Sequence, residues 1–288
     1  MGKLYKICMG SVLLFAAGIL TGCTERPLSI RPDDGLLTVN LVWPGGQSVA
    51  GAQVWLYDSR GEFYRMAECP SGGYSGRVPA DTYTVLVVNS DCSNADCEHY
   101  GSWRECCIQA DRADPTGRTL QQVGRVFCTG TGGVTVKHGS DPTEVTLYPK
   151  NVVKKLHFDI DSGDIADIAD MEIVMTGIVP SVLLIDGSDA GEPVGAVEVT
   201  AQSEDDGSYS ADMSVFGWRG GNMVTVTIRR SDGSTVTTLP QDLSDQLAQL
   251  PDEGGTVYLV LVLPDGSEIE LTVTVKDWES GTGSGTVM

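Results

Sequence analysis

The chain has 288 residues, with 39 Asp and Glu against 19 Lys and Arg, a formal net charge of −20. That excess of negative charge repels nucleic acid and anionic lipid headgroups and argues against both as partners. Hydrophobic residues make up 41% and charged residues 20%, the balance of a folded chain with room for two ordinary domains or one large sandwich.

Lys3 and Lys6 form a positive n-region ahead of an apolar run, Val12 to Leu20, of signal-peptide length and short for a membrane span. The run closes on Leu20-Thr21-Gly22-Cys23. An aliphatic residue, two small ones and Cys resemble the bacterial lipoprotein box; an ordinary secretory signal is the plainer alternative. The resemblance implies a signal peptide over residues 1–22, acylation of the Cys23 thiol, and a mature protein tethered to a membrane by lipid. Several acyl chains hold a protein far better than one. The leader carries two of the basic residues and none of the acidic ones, so the mature chain has 17 against 39, a net charge of −22. Residues 23–35, with two prolines and mixed charges, read as a tether. No second apolar run reaches membrane-span length.

The segment 36–150 is written in strands. Leu37, Val39, Leu41 and Trp43 alternate with Thr38, Asn40 and Val42, a period of two with one buried face. Gly51–Asp58, Glu62–Met66, Tyr74–Val78 and Pro79–Asn89 follow, separated by Gly- and Ser-rich turns. The last is apolar on both faces, as a strand in the middle of a sandwich must be. The order Gly51-Ala52-x-Val54-x-Leu56-Tyr57-Asp58, a hairpin, a Gly73-Tyr74 return, then Pro79-Ala80-x-Thr82-Tyr83-x-Val85 resembles a transthyretin-type Greek-key β-sandwich. It also resembles the N-terminal domain of fimbrillin-like lipoproteins from anaerobic Gram-negative bacteria. Asp81 stands where that turn usually has Gly, and Asp tolerates turn conformations.

From Asp91 to Asp114 the alternation dissolves and cysteines gather. With the leader and Cys23 set aside, Cys69, Cys92, Cys97, Cys106, Cys107 and Cys128 remain, an even number that in an exported chain permits three disulfides in any of 15 pairings. Adjacent Cys106 and Cys107 each need a different partner, and Cys92 with Cys97 would staple its own loop. Free thiols are the second reading. A zinc site with His99 is the third, although structural zinc sites use two close-spaced ligand pairs and these spacings do not match. A loop this long points to a function such as partner contact.

Strands resume over Thr119–Phe127, Val134–His138 and Glu144–Tyr148, and a boundary is expected after Lys150. Gly132-Gly133 reads as a turn, without the Lys and helix of a phosphate-binding loop. The second segment, 151–276, opens with a strand over Val152–Ile160. The acidic stretch from Asp159 to Asp170 lacks the calcium-loop pattern, because positions five, six and twelve hold Gly163, Asp164 and Asp170, so it reads as a solvated turn. Further strands are expected over 171–175, 181–185, 194–201, 207–216, 223–230 and 235–239. Leu243, Leu247 and Leu250 share a face of one helix over Asp242–Leu250, ended by Pro251. A final hairpin pairs Val257–Leu263 with a strictly alternating strand carrying Ile269, Leu271, Val273 and Val275. Residues 277–288 are a Gly/Ser/Thr-rich tail containing Trp278.

The expected fold is therefore all-β, with two tandem Greek-key, transthyretin-like β-sandwich domains. The lipoprotein leader, the Pro79-to-Tyr83 turn, the long alternating last strand and its Lys276-Asp277-Trp278 ending together resemble the fimbrium anchor subunits of type V pili. That resemblance implies a subunit lipid-anchored in the outer membrane and facing the cell surface at the filament base, no cofactor, and fimbrial (stalk pilin) subunits as partners. It also implies joining by strand exchange, for which Ile269, Leu271, Val273, Val275 and the tail are the candidates. A tip or stalk subunit released by proteolysis near Arg31 is an alternative. So is an outer-membrane glycan-binding lipoprotein using Trp103 or Trp218 as a stacking platform. Catalysis is not expected, since His99, His138 and His157 sit in no nucleophile, metal or phosphate motif.

Overall fold

The computed structural model describes residues 33–115, 117–163, 165–262 and 270–276; the leader, Cys23, the tether as far as Pro32, Ile269 and the tail from Asp277 lie outside the described residues. Period-two sequence becomes strand after strand. The first half holds β1 (Asp34–Leu41), β2 (Ala52–Tyr57), β3 (Phe63–Cys69), β4 (Gly73–Pro79), β5 (Thr82–Asn89), β6 (Ala95–Glu98), β7 (Cys107–Ala110), β8 (Thr119–Leu120), β9 (Phe127–Thr135), β10 (Pro142–Leu147) and β11 (Lys150–Asn151). The second half holds β12 (Lys154–Asp161), β13 (Ile168–Ile178), β14 (Ser181–Leu183), β15 (Gly195–Thr200), β16 (Gln202–Ser203), β17 (Tyr209–Val215), β18 (Met223–Arg230), β19 (Thr235–Thr237) and β20 (Gln241–Asp242). A single helical turn, α1 (Ser244–Leu247), then leads into β21 (Gly254–Val262) and β22 (Glu270–Lys276). The expected all-β class holds.

The two halves repeat one strand order. In the first, the sheet β10-β1-β4 accompanies β9-β5-β2-β3; in the second, β21-β12-β17 accompanies β19-β18-β13-β15. The pairing senses repeat as well: β1 runs parallel to β10 and antiparallel to β4, as β12 does to β21 and β17. The halves differ at their margins. β22 lies antiparallel along the outer edge of β21, whereas β10 ends its sheet among the described residues.

Burial follows the pleat. Leu37, Val39 and Leu41 of β1 face Val54, Leu56, Val85 and Val87 across the first core. The same β2 and β5 present Trp55, Tyr57, Leu86 and Val88 on their other face, to a second core that runs on through Leu156, Phe158 and Ile173 of the second half. Strand β5 is thus buried on both sides, as its unbroken apolar run requires. The turn before it is pinned twice. The Tyr83 hydroxyl donates to the Pro79 carbonyl at 2.9 Å, and Asp81 accepts from the Thr82 N–H at 2.8 Å, so Asp serves in place of Gly.

Several elements depart from expectation. Residues 91–114 are not an unpatterned loop. β6 and β7 pair as a hairpin, β14 of the second half adds to β7, and this small sheet covers the outer face of β2 and β5. The strand expected over Thr119–Phe127 is divided: β8 joins β15 in parallel, no strand covers residues 121–126, and Phe127 opens β9. Gly132-Gly133 is not a turn but a bulge inside β9, where the register against β5 slips between Tyr83 and Val85 and Gly133 takes φ +76°, a conformation open to Gly. The helix is shorter than its apolar spacing suggests. Asp242 caps Ser244 at 2.9 Å, and Gln249 and Leu250 already close i→i−3 bonds, which tighten and end the turn. Leu243 and Leu247 are buried nonetheless.

Candidate functional site

The apolar alternation of the last strand has a defined place in the sheet. Leu271, Val273 and Val275 stand opposite Leu261, Leu259 and Val257, three residues that are fully buried. Direct cross-strand partners occupy matching register positions, and Thr272, between two of them, is exposed. A strand of this kind docks by its backbone along one edge and by alternate positions on one face.

The cysteine-bearing layer is the second feature. All six cysteines of the described chain are free thiols. Cys92, Cys97, Cys106 and Cys128 pack in the second core, whereas Cys69 packs against the first, on the other face of the five-stranded sheet. Cys97 stands opposite Ile108 and Glu98 opposite Cys107, which puts Cys97 and Cys107 on opposite faces of the hairpin. Among the described residues, no group of three or more His, Cys, Asp and Glu is placed to hold a metal ion. His99 lies on the surface 4.0 Å from Glu192.

Desolvation dominates the thiol chemistry. Burial pushes Cys92 and Cys128 up to about 12 and Cys107 up to about 11, with neighbouring acidic groups and thiols adding to the rise; Cys97 is raised further. The thiolate is the reactive form. Pulse alkylation of the native reduced protein at pH 8 should therefore label these four slowly, and all six rapidly once denaturant is added. Mass mapping that found Cys97 or Cys128 modified in the native pulse would contradict this packing.

The tryptophans proposed as platforms each carry a cation. The Arg104 guanidinium lies 4.3 Å from the ring centre of Trp103, and Lys154 Nζ lies 5.1 Å from that of Trp218. His157 meets Asp212 at 2.8 Å on an exposed sheet face. What the sequence concealed is an aromatic group on the outer face of the first half. Trp55 and Phe63 have ring centres 5.8 Å apart, Trp55 and Tyr100 also 5.8 Å, and Phe63 and Tyr100 6.1 Å. The Tyr57 hydroxyl donates to the Tyr100 carbonyl at 3.1 Å, tying the loop to the sheet. Only the distribution of aromatics along β2 and β3 hinted at it.

Residues 45–281 match the model of one protein family, the fimbrillin-A associated anchor proteins Mfa1 and Mfa2. The chain belongs to this family. It is a fimbrial protein associated with the cell surface. No curated protein sequence matches it, but its fold is shared with solved structures. A candidate adhesin from Bacteroides ovatus is 14% identical, with a TM-score of 0.64, covering 88% of this chain and 98% of the other. The fimbrial anchor protein Mfa2 from Porphyromonas gingivalis is 12% identical, with a TM-score of 0.60 over 84% and 98% of the two chains. A candidate polysaccharide-binding protein from Bacteroides thetaiotaomicron is 11% identical, with a TM-score of 0.58 and the same coverage. At these identities the likeness is one of fold.

Proposed function

We propose that this protein is the lipid-anchored subunit at the base of a fimbrium, held in the outer membrane through Cys23 and joined to the next subunit by strand exchange. The observation that carries the reading is the match of residues 45–281 to a family of fimbrial anchor proteins. Three features support it. The leader ends in a lipoprotein box. The last strand alternates strictly and sits at a sheet edge, beside a tail containing Trp278. The repeated topology also supplies a place for an incoming strand. β21 is flanked by β22, while its counterpart β10 has no outer neighbour among the described residues. A neighbouring subunit's strand laid along β10 would pair through its backbone and set alternate side chains against the sandwich. Ile269, Leu271, Val273 and Val275 are the corresponding donor candidates of this chain. The role is structural rather than catalytic, and the six free cysteines act in packing.

The test is the intact mass of the native protein, taken separately from outer membranes and from sheared filaments. A full-length acylated species beginning at Cys23 and retained in the membrane is expected, together with release of a Cys23→Ser variant from the membrane. A shorter, unacylated species in the filaments would make this a processed tip or stalk subunit instead. Absence from filaments with the lipid intact would shift the role to ligand capture at the surface. Truncation after Lys276 should impair assembly; filaments unaffected by it would remove the tail from the exchange.

A further inference from the structure

A groove of about 780 Å³ lies at the junction of the two halves, within the size range of binding sites. Phe127, Val153 and Phe216 line it and are buried. Trp43 meets Phe127 edge to face, with ring centres 6.0 Å apart. At the rim, Val42 is 47% exposed and Tyr148 63% exposed, so apolar surface is left open beside an apolar hollow. Such a patch on a folded chain marks a contact surface. The second half of the chain indicates what covers it. Strands β17, β12 and β21 are neighbours in one sheet and reach the groove at the same end, through Phe216, Lys154 and Glu253. Strand β22 is next in that row, and its last residue, Lys276, stands opposite Thr256, just after Glu253. The chain therefore leaves β22 beside the groove, about 5 Å from the β21 rim, one interstrand spacing.

Twelve residues, 277–288, follow Lys276. Their apolar side chains are Trp278, two residues on, and Val287 and Met288 at the far end; the others are Gly, Ser, Thr, Asp and Glu. Two extended residues span about 7 Å, enough to bring the indole over the rim. There it gains burial between Val42 and Tyr148 and an edge-to-face partner in Trp43 or Phe127. Asp277 and Glu279 flank it. The groove offers them Lys150 and Lys154 but also Asp186, Asp252 and Glu253, so charge is nearly balanced and burial decides the contact. A segment joined to the site by so short a linker is present at millimolar effective concentration, ahead of any second copy. We infer that Trp278 docks in this groove of its own chain and clasps the two halves together. A tail held there is withheld from a neighbouring subunit until it is released. The inference rests on the groove and the register of β22, and stands whether or not the protein anchors a fimbrium.

The test replaces Tyr148 with the photo-cross-linking residue benzoylphenylalanine in the full mature chain, which is irradiated while dilute and mapped by mass spectrometry. Tyr148 is exposed, so the fold tolerates the change. The expected product is a monomer cross-linked to the peptide that carries Trp278. Its yield should fall roughly fivefold or more in Trp278→Ser, the loss expected when an aromatic anchor is removed. The same fall is expected in Val42→Asp, which sets a charge on the rim at an exposed position, with far-UV circular dichroism unchanged in both variants. Benzoylphenylalanine at Tyr100 serves as the control. Tyr100 lies beside Tyr57 at the end of β2, whereas Phe127 is bonded to Asn89 at the other end of the β2–β5 pair, so position 100 should not capture the tail. A cross-linked dimer would assign the groove to a second copy. Cross-links to other segments alone would leave it without the tail, and equal capture from position 100 would make the contact indiscriminate. Undiminished yield in either variant would mean that Trp278 is not what the groove holds. Each of these results overturns the inference, and each is read on the isolated subunit, separately from any failure of the anchoring role.

Discussion

Replacing Phe158 with Ala is expected to cost about 3–5 kcal/mol, the range for truncating a fully buried aromatic. Phe158 has no exposed surface and sits in the central strand β12, paired on one side with Ala211 of β17 and on the other with Val257 of β21. Its cross-strand neighbours are held by two ladders and cannot close inward to fill the space, so the cavity persists. The core it belongs to runs from Leu156 and Ile173 to Trp55 and Leu86 of the first half, and the loss should therefore be felt by both halves of the chain. Domains of ordinary stability have about 5–15 kcal/mol in hand, so the variant stands near the threshold of folding. Denaturant unfolding should show a lower midpoint with an unchanged slope. Phe158→Leu, which keeps most of the volume, should cost much less. A Phe158→Ala midpoint within error of the parent would mean that β12 does not carry the core.

The second large effect is expected at Gly254, the first residue of β21. Its φ is +110°, and a Cβ added there would collide with the carbonyl oxygen of Lys155. Two penalties combine. Holding a non-glycine residue in that backbone region costs roughly 1–3 kcal/mol. The displaced carbonyl also disturbs the parallel pairing of β12 and β21, which starts at the Lys155–Gly254 register pair. Gly207 separates the two, having φ +88° with open space around it. Gly207→Ala should lose only the dihedral contribution, and Gly254→Ala clearly more, in a side-by-side thermal melt. Equal losses would remove the steric part of the argument. Because β22 pairs along β21, Gly254→Ala should also raise hydrogen exchange in the last hairpin.

Much of this protein is legible from local pattern. Wherever one face of a strand is buried and the other wet, the sequence alternates, as in Met223–Arg230, read with the same limits that the structure gives β18. Strand β5, apolar on both faces, announces that it lies between two layers. Family membership was also within reach, because the Pro79-to-Tyr83 turn and the final strand are contiguous motifs. The misreadings share a cause. β6, β7 and β8 are two to four residues long, too short for a period to register, and pairing with other segments holds them. Residues 107–110 become a strand because residues 181–183 lie beside them. Gly132-Gly133 looks like a turn because the demand for positive φ is the same in a turn and in a bulge; only the β5 neighbour distinguishes them.

The sequence by itself determined the all-β class, the net negative charge and the fimbrial family, since each depends on residue type and short-range spacing. Tertiary structure alone decided that the cysteine-rich segment is a third layer, that Cys106 and Cys107 are buried in it, and that β22 completes the sheet of β21. Those facts arise from contacts between residues tens of positions apart. The free energy of such contacts comes from shared burial, and no local pattern records which distant strand will provide it.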